Sequence, residues 1–370
     1  MMKQTILFFT KEDLPMSNNL HTLFPFLHTR EALLQEIHMH KHLLSQFESW
    51  QKEQQQEFLN FCTGAKGVRM LYDSFFKEIM NPETIPERLE DFLSLVLNQK
   101  VTILKVLPND STRIADESSL LIMDIVVELS TGSIANVEVQ KIGYAFPGQR
   151  CACYSADLLL RQYKRVKSEK KKRFSYRDIK NVYTVILFEK STYEFHKFPD
   201  IYIHHSNQKT DTGLKLELLQ DYTFIALDIF KKTLQNKGIN NKLEAWLTFL
   251  CVDEPETIMK LIEAFPEFKP LYDDVYQICR NTEKVMEMFS KELQELDRNT
   301  VQYMIDEMQD TIDLQKKTID TQQDTIDSQK GMIDSQKDTI VSQEGMIAAQ
   351  RLKLSKMEQE LLELRKKLNF

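Results

Sequence analysis

Two carboxylates interrupt apolar stretches that have the composition of buried strands. Asp124 lies within LLIMDIVVEL (120–129), and Glu138 lies within SIANVEVQ (133–140), with Gln140 two residues later on the same strand face. Burying an unpaired carboxylate is costly, so two of them on paired strands require cations, hydrogen bonds or a metal. A hard divalent cation such as Mg²⁺ takes oxygen ligands of this kind. On spacing alone, either acid could instead face solvent or meet an arginine.

The patterns around these acids predict elements in the order α-β-β-β-α-β. Apolar spacing and β-rich composition indicate helices at 73–79 and 87–97, strands at 101–107, 120–129 and 133–140, a long helix at about 149–167, and a strand at 181–188. The segment Ser130-Thr131-Gly132 joins the two strands that carry the acids, which predicts a hairpin. We therefore expect Asp124 and Glu138 on neighbouring strands.

The spacing Asp124-x(13)-Glu138-x-Gln140 in this element order resembles the core of the PD-(D/E)XK nuclease family transposases, the recombination-promoting nuclease group. The segment DSFFK (73–77) resembles the opening D-x-x-F-K of that family. CACYSADLLLRQY resembles its following helix, with Arg150 and Tyr154 in matching places. The resemblance covers about residues 70–300 and implies an α/β, restriction-endonuclease-like core with helical flanking regions.

The resemblance also implies roles for individual residues. Asp124 and Glu138 would bind Mg²⁺, with Mn²⁺ as an alternative, and the carbonyl of Val139 would be a third ligand. Such a metal would polarise the scissile DNA phosphate and activate a water. Gln140 stands where most of the superfamily has lysine; an amide can orient water or phosphate but cannot act as a base or carry positive charge. This favours a second hypothesis, a weak or silent nuclease fold serving as a DNA-binding or coiled-coil interaction module.

A further acid in such sites usually comes from the helix before the sheet. Glu90 is the candidate here, with Asp91 and Glu87 as rivals, and the alternative is that all three lie on the helix surface. Asp73 precedes a helical stretch, so we expect it to cap the free N–H groups of that helix rather than to bind a metal.

A strongly basic segment follows the long helix. It contains eight basic residues and one acid, Glu169; the basic residues are Arg161, Lys164, Arg165, Lys167, Lys170, Lys171, Lys172 and Arg173. Phosphate neutralisation with counterion release supplies the sequence-independent part of DNA affinity. We expect this segment to hold DNA beside the metal, together with Arg150, although a charged solvated loop is the alternative.

A seven-residue repeat ends the chain. Apolar residues occupy the a positions; they are Ile305, Ile312, Ile319, Ile326, Ile333, Ile340, Ile347, Leu354, Leu361 and Leu368. Most d positions are glutamine, from Gln315 to Gln350. The repeat predicts a helix of about 95 Å over 305–368 and a coiled coil over 301–370 that joins copies of the chain, with strand number open. The alternative is a lone solvated helix. Gly331 and Gly345 fall at f and should not break it.

These patterns divide the chain into four regions. They are an N-terminal helical region (1–66), a nuclease-like domain (67–235), a helical module (236–300) and the coiled coil (301–370). Two short helices are expected within 29–61. Two more are expected at 256–265 and 281–296, separated by turns at Pro266 and Pro270.

Composition limits the remaining classes of function. Only 9 glycines are present, and neither G-x-x-x-x-G-K-[ST] nor G-x-G-x-x-G occurs, so a nucleotide-binding loop is not expected. Five cysteines without CxxC spacing indicate a reducing compartment. No apolar stretch reaches the roughly 18 residues of a membrane span. We therefore expect a cytoplasmic bacterial protein, associated with the nucleoid, that binds DNA and not a membrane. The net charge of -7 averages over unlike parts, including the basic segment.

Overall fold

The structure is a computed structural model, which describes residues 20–108, 124–141, 147–206, 208, 210–214 and 216–368. The chain divides into two compact units, Met1–Tyr303 and Met304–Phe370. No helix within the described ranges is long and apolar enough to cross a membrane. The first part of the predicted strand at 120–129, residues 120–123, lies outside the described residues.

Six strands form one mixed sheet in the first unit. They are β1 (Ile103–Val106), β2 (Ile125–Leu129), β3 (Ile134–Gln140), β4 (Val182–Phe188), β5 (Ile203–Ser206) and β6 (Gln220–Ala226), in the spatial order β1-β2-β3-β4-β6-β5. The pairs β1–β2, β2–β3 and β5–β6 are antiparallel, and β3–β4 and β4–β6 are parallel. The β2–β3 turn contains Gly132 with φ +83°, a conformation that glycine adopts without strain.

Helices precede, separate and follow these strands along the chain. They are α1 (Arg30–Met39), α2 (Lys41–Ser49), α3 (Lys52–Cys62), α4 (Asp73–Ile79), α5 (Pro86–Val96), α6 (Pro147–Lys170), α7 (Tyr193–His196), α8 (Leu227–Lys237), α9 (Lys242–Cys251), α10 (Pro255–Ala264), α11 (Lys269–Cys279) and α12 (Thr282–Leu368). The sequence explains α5 well, since Pro86 starts it and Leu89, Phe92, Leu93 and Val96 give it one buried face.

The two faces of the sheet are covered differently. One face, which includes Val127, Val137 and Val185, packs into the main core. Residues from most of the helices complete this core. The other face carries Val126, Ile134 and Val182, which pack against Tyr154 and Leu158 of α6. Because side chains alternate along a strand, Asn136, Glu138 and Gln140 also lie on this second face, and all three are buried.

Two expectations about the helices were wrong. Residues 29–61 contain three helices rather than two, because His40 has an extended backbone (φ -110°, ψ 107°) that separates α1 from α2. Pro270 does not mark a turn but lies in the first turn of α11, where its missing N–H costs nothing. The helix expected at 281–296 is the start of α12, which includes Gly331 and Gly345 without a break, as expected.

Candidate active site

Asp124 and Glu138 lie opposite each other across β2 and β3. Ile125 pairs with Val137, so the next position outward places Asp124 against Glu138. Glu138 Oε1 accepts hydrogen bonds from the Asp124 N–H at 3.3 Å and from Asn136 Nδ2 at 3.1 Å. The Val139 N–H donates to Asp124 Oδ2 at 2.6 Å. The structure therefore brings together the two acids that the sequence singled out.

Burial makes this pair electrostatically costly. Glu138 is 4% exposed, and the side chain of Asp124 is 16% exposed. Burial raises the pKa of Asp124 to about 6, against the opposing charge of Lys77. Burial and the neighbouring Asp124 carboxylate raise the pKa of Glu138 well above its usual value. A proton or a metal cation would relieve this cost, which makes the pair suited to bind one of them.

The Gln140 amide is buried without a hydrogen-bond partner. Within the described part of the chain, neither its oxygen nor its nitrogen has one. A buried polar group left unpaired costs about 1–3 kcal/mol and calls for an explanation. Since Gln140 lies on the face of Glu138, a metal-bound water or a phosphate oxygen could supply the missing hydrogen bonds.

The donor set fits a hard divalent cation in part. Two carboxylates are present, and Val139, whose carbonyl the resemblance implies as a third ligand, donates its N–H to Asp124 Oδ2. No group of three or more His, Cys, Asp or Glu residues in the described ranges is arranged to hold a metal. Main-chain oxygen, water and substrate would have to complete the coordination, as they commonly do for Mg²⁺.

Lys77 is the residue of this site to which the sequence assigned no role. Its Nζ lies 2.8 Å from Asp73 Oδ1 and 3.5 Å from Asp124 Oδ1. Although burial acts in the opposite direction, the Asp124 and Asp73 carboxylates raise the pKa of Lys77. The site thus contains a cation beside Asp124 although Gln140 carries no charge.

The prediction that Asp73 caps α4 was wrong. The N-cap position belongs to Tyr72, and no side chain makes a cap hydrogen bond there. Asp73 is instead the first helical residue, and its carboxylate contacts Lys77. This pairing places Asp73 at the edge of the site, next to the cation that approaches Asp124.

A buried ion pair joins α12 to the end of β3. Lys141 directly follows Gln140, and its ammonium contacts Glu292 of α12. Both side chains are almost completely buried. Glu292 Oε2 also accepts the Asp73 N–H at 2.8 Å. One carboxylate from a distant part of the sequence therefore holds both the start of α4 and the residue after the D…ExQ motif.

The start of α6 contributes a second cation. Arg150 Nε donates to the Tyr154 hydroxyl at 2.7 Å, and the charge of Arg150 acts on Glu138 by lowering its pKa. Tyr154 is buried, and burial raises its pKa to about 12. Arg150 thus lies close enough to the carboxylate pair to influence its charge.

The structure does not bring Glu90 to the carboxylate pair. Glu90 Oε1 accepts the Ile103 N–H at 2.7 Å, and Ile103 pairs with Leu129 at the end of β2 opposite Asp124. That end is about 17 Å from Asp124 along the strand. Asp91 is likewise engaged elsewhere, with Lys242 and Trp246, and Glu87 is exposed.

The basic segment lies at the far end of the sheet, not beside the acids. The Gln162 side chain contacts the Gly132 carbonyl at 3.4 Å and the Lys180 N–H at 2.6 Å, so this part of α6 lies against the β2–β3 turn. The seven residues of β3 separate that turn from Gln140 by about 20 Å. The expected placement beside the metal was wrong because α6 runs along the whole sheet.

Acidic neighbours neutralise part of this segment. Arg161 pairs with Asp157 at 2.6 Å, Arg165 with Glu128 at 3.0 Å, and Lys170 with Asp178 at 2.5 Å. Lys167 donates to the Tyr163 hydroxyl at 2.7 Å. The remaining cations make no ion pair with any described residue and are exposed; they are Lys164, Lys171, Lys172 and Arg173. These four, and Lys167, whose only hydrogen-bond partner among the described residues is the neutral Tyr163 hydroxyl, are the cations of the segment available for a phosphate backbone.

Comparison with known proteins agrees with this geometry. The sequence model of the PD-(D/E)XK nuclease family transposases matches residues 70–306, which include α4, the whole sheet, α6 and the start of α12. The chain belongs to this family of nuclease-related transposases. The mixed six-stranded sheet flanked by helices is consistent with the PD-(D/E)XK nuclease fold. Neither a curated protein nor a solved structure matches the chain.

Proposed function

We propose that this protein is a divalent-metal-dependent DNA endonuclease that hydrolyses phosphodiester bonds, with Mg²⁺ as the natural ion and Mn²⁺ as a substitute. The observation that carries the proposal is the buried, opposed pair Asp124–Glu138 beside the unpaired amide of Gln140. Burial of two acids without a counter-charge is costly, and a bound divalent cation would compensate for that cost. Membership in the family supports the same reading.

Each residue of the site has a distinct task in this proposal. Asp124, Glu138 and the Val139 carbonyl would hold the ion, and the ion would supply Lewis-acid polarisation of a phosphate and a lowered pKa for a bound water. Gln140 would orient the water or a phosphate oxygen through its amide. Lys77 would supply the positive charge near the phosphate that most of the superfamily takes from the motif lysine, and Arg150 would contact the backbone close to the site.

Plasmid cleavage tests this function. We expect purified protein to nick supercoiled plasmid in the presence of Mg²⁺ or Mn²⁺. Nicking should stop when EDTA removes the ion. At metal concentrations below saturation, the rate should fall as the pH decreases through about 6, because protons compete with the ion for Asp124. The readout is the fraction of nicked plasmid on an agarose gel, and equal nicking with and without EDTA would contradict metal dependence.

The second candidate function is a weak or silent nuclease fold that binds DNA or a protein partner. Gln140 favours it, because the motif lacks its usual lysine. A protein that binds DNA but never cuts with Mg²⁺ or Mn²⁺ would support this candidate over the first.

DNA would extend from the site to the far end of α6. The 20 Å between Gln140 and the β2–β3 turn corresponds to about six nucleotides of a strand. The exposed cations at that end, Lys164, Lys171, Lys172 and Arg173, would hold the backbone there. Breaks made in this way could promote recombination, and a DNA substrate would associate the protein with the nucleoid of a bacterial cell.

Replacing Lys164, Lys172 and Arg173 by glutamine should weaken DNA binding at low salt and flatten its salt dependence. Each lost phosphate contact reduces the magnitude of the slope of log K against log salt by about 0.9. The slope of the triple variant should therefore be smaller in magnitude by up to about 3. The measurement is fluorescence anisotropy of a labelled duplex with EDTA present, between about 50 and 200 mM KCl.

Lys170→Gln is the matched control, because Asp178 already neutralises Lys170. It should change the slope much less. Equal slopes in the wild type and the triple variant would exclude this surface as a DNA contact.

The second unit would join copies of the chain, as its heptads indicate. Within 311–367, α12 exposes a row of apolar residues that includes Ile319 and Ile340, 62% and 54% exposed. Pairing with another helix stabilises such a helix, because it buries the apolar row away from water. Self-association would bring two nuclease sites to one DNA molecule.

A further inference from the structure

We propose that the second unit pairs with the same segment of a second copy of this chain, in parallel and in register. This inference rests on the self-association proposed above and specifies its geometry. Three features of residues 308–368 carry it: the glutamines at d, the apolar residues that flank them, and charges at the C-terminal end.

The glutamine positions distinguish parallel from antiparallel pairing. In a parallel pair, a faces a and d faces d, so isoleucine meets isoleucine and each glutamine meets its own counterpart. An amide carries both donors and an acceptor, so two facing glutamines can satisfy each other. In an antiparallel pair, a faces d, and the six glutamines from Gln315 to Gln350 would lie against isoleucine or leucine without a partner.

The ends of the glutamine run determine the register. The repeats from 311 to 346 are nearly identical, so a shift of seven residues would preserve most of their layers. Met308 precedes the run at d, and Met357 and Leu364 follow it. A seven-residue shift would place Met308 against a glutamine and Gln350 against Met357, so the apolar ends disfavour it.

Charges near the C-terminus also favour the aligned register over a seven-residue shift. In a parallel pair, a g residue faces the e residue five positions later in the partner. Lys353 at g therefore faces Glu358 of the second copy, and Glu360 faces Arg365. After a seven-residue shift, Lys353 would face Arg351 or Arg365, and Glu360 would face Glu358. Of the four attractive contacts of the aligned pair, three thus become repulsive and one is lost when the pair is shifted.

Parallel pairing has a consequence for the nuclease units. Because each chain enters the coil from residue 303, both first units are attached at the same end of a parallel pair. An antiparallel pair would attach them at opposite ends, separated by the length of the coil. Parallel pairing is therefore the arrangement that lets two sites act on nearby phosphates of one duplex.

Disulfide cross-linking of the full-length protein tests this geometry. The only exposed cysteine, among five that are all described, is Cys153, so the background variant is Cys153→Ser. Gln315→Cys and Gln350→Cys introduce thiols at d, about 52 Å apart along the helix. We expect each variant to form a disulfide with itself on mild oxidation, seen on non-reducing gels. Asp324→Cys at the solvent-facing f position is the control and should not cross-link within a pair.

Other outcomes overturn the inference in distinguishable ways. An antiparallel pair cannot cross-link with itself at both 315 and 350. A shifted pair would cross-link only in a mixture of Gln343→Cys and Gln350→Cys proteins. A monomeric mass by light scattering would remove self-association altogether, while metal-dependent plasmid nicking by that monomer would leave the nuclease function standing.

Discussion

Replacing Glu138 by glutamine is expected to lower the rate of plasmid cleavage by about 10³ or more. Loss of one carboxylate ligand removes several kcal/mol of the stabilisation that the metal would give to the transition state. The same substitution should raise the melting temperature of the metal-free protein at alkaline pH. Glutamine keeps the oxygen that accepts from Asp124 N–H and Asn136, but it removes a buried charge that faces Asp124. Opposite effects on activity and stability are typical of a buried functional charge.

The pH dependence of stability provides the measurement. Burial raises the pKa of Asp124 to about 6 and that of Glu138 well above its usual value. The folded protein therefore holds protons that the unfolded chain releases at about pH 4. The part contributed by Asp124 is complete below about pH 4 and is lost as the pH rises through about 6, and the part contributed by Glu138 is lost as the pH rises through its own raised pKa. Thermal melts in EDTA from pH 5 to about 8.5 should fall more steeply for the wild type than for Glu138→Gln.

Glu90→Gln is the matched control for this experiment. It also neutralises a partly buried carboxylate and keeps the oxygen that accepts the Ile103 N–H. We expect it to retain cleavage, because Glu90 lies at the other end of β2. Loss of cleavage in Glu90→Gln would restore Glu90 as a site residue, and normal cleavage by Glu138→Gln would remove the proposed metal site.

The carboxylate pair could be predicted because its signal is local. An acid in a stretch of valine and isoleucine breaks the alternation of a strand, and the turn at 130–132 is short enough to fix the pairing. The strand expected at 133–140 is observed at Ile134–Gln140, and the strand expected at 181–188 at Val182–Phe188.

Contacts between distant residues gave no such signal. Lys77 lies 47 positions before Asp124, and no spacing rule connects them. The basic run looked uniform because its acidic partners, Glu128 and Asp178, lie in other elements. Its distance from the site depends on α6 spanning the sheet from one end to the other, which follows from packing rather than from charge.

The Glu292→Ala substitution is expected to destabilise the first unit by about 3–5 kcal/mol, because it leaves the buried Lys141 ammonium without a counter-charge. The Asp73 N–H also loses its acceptor. Since both groups adjoin the site, cleavage should weaken as well. Urea unfolding followed by tryptophan fluorescence reports this, because both tryptophans, Trp50 and Trp246, are buried in the first unit.

Two further variants make the cause of this loss testable. Glu287→Ala, on the same helix, removes an exposed carboxylate paired with Lys291 and should change stability little. Combining Lys141→Met with Glu292→Leu removes both charges and should recover much of the stability lost in Glu292→Ala. If the double variant regains stability but not cleavage, the ion pair positions the site; if it regains both, the pair serves the fold alone. A Glu292→Ala protein as stable as Glu287→Ala would show that Lys141 is not held by this carboxylate.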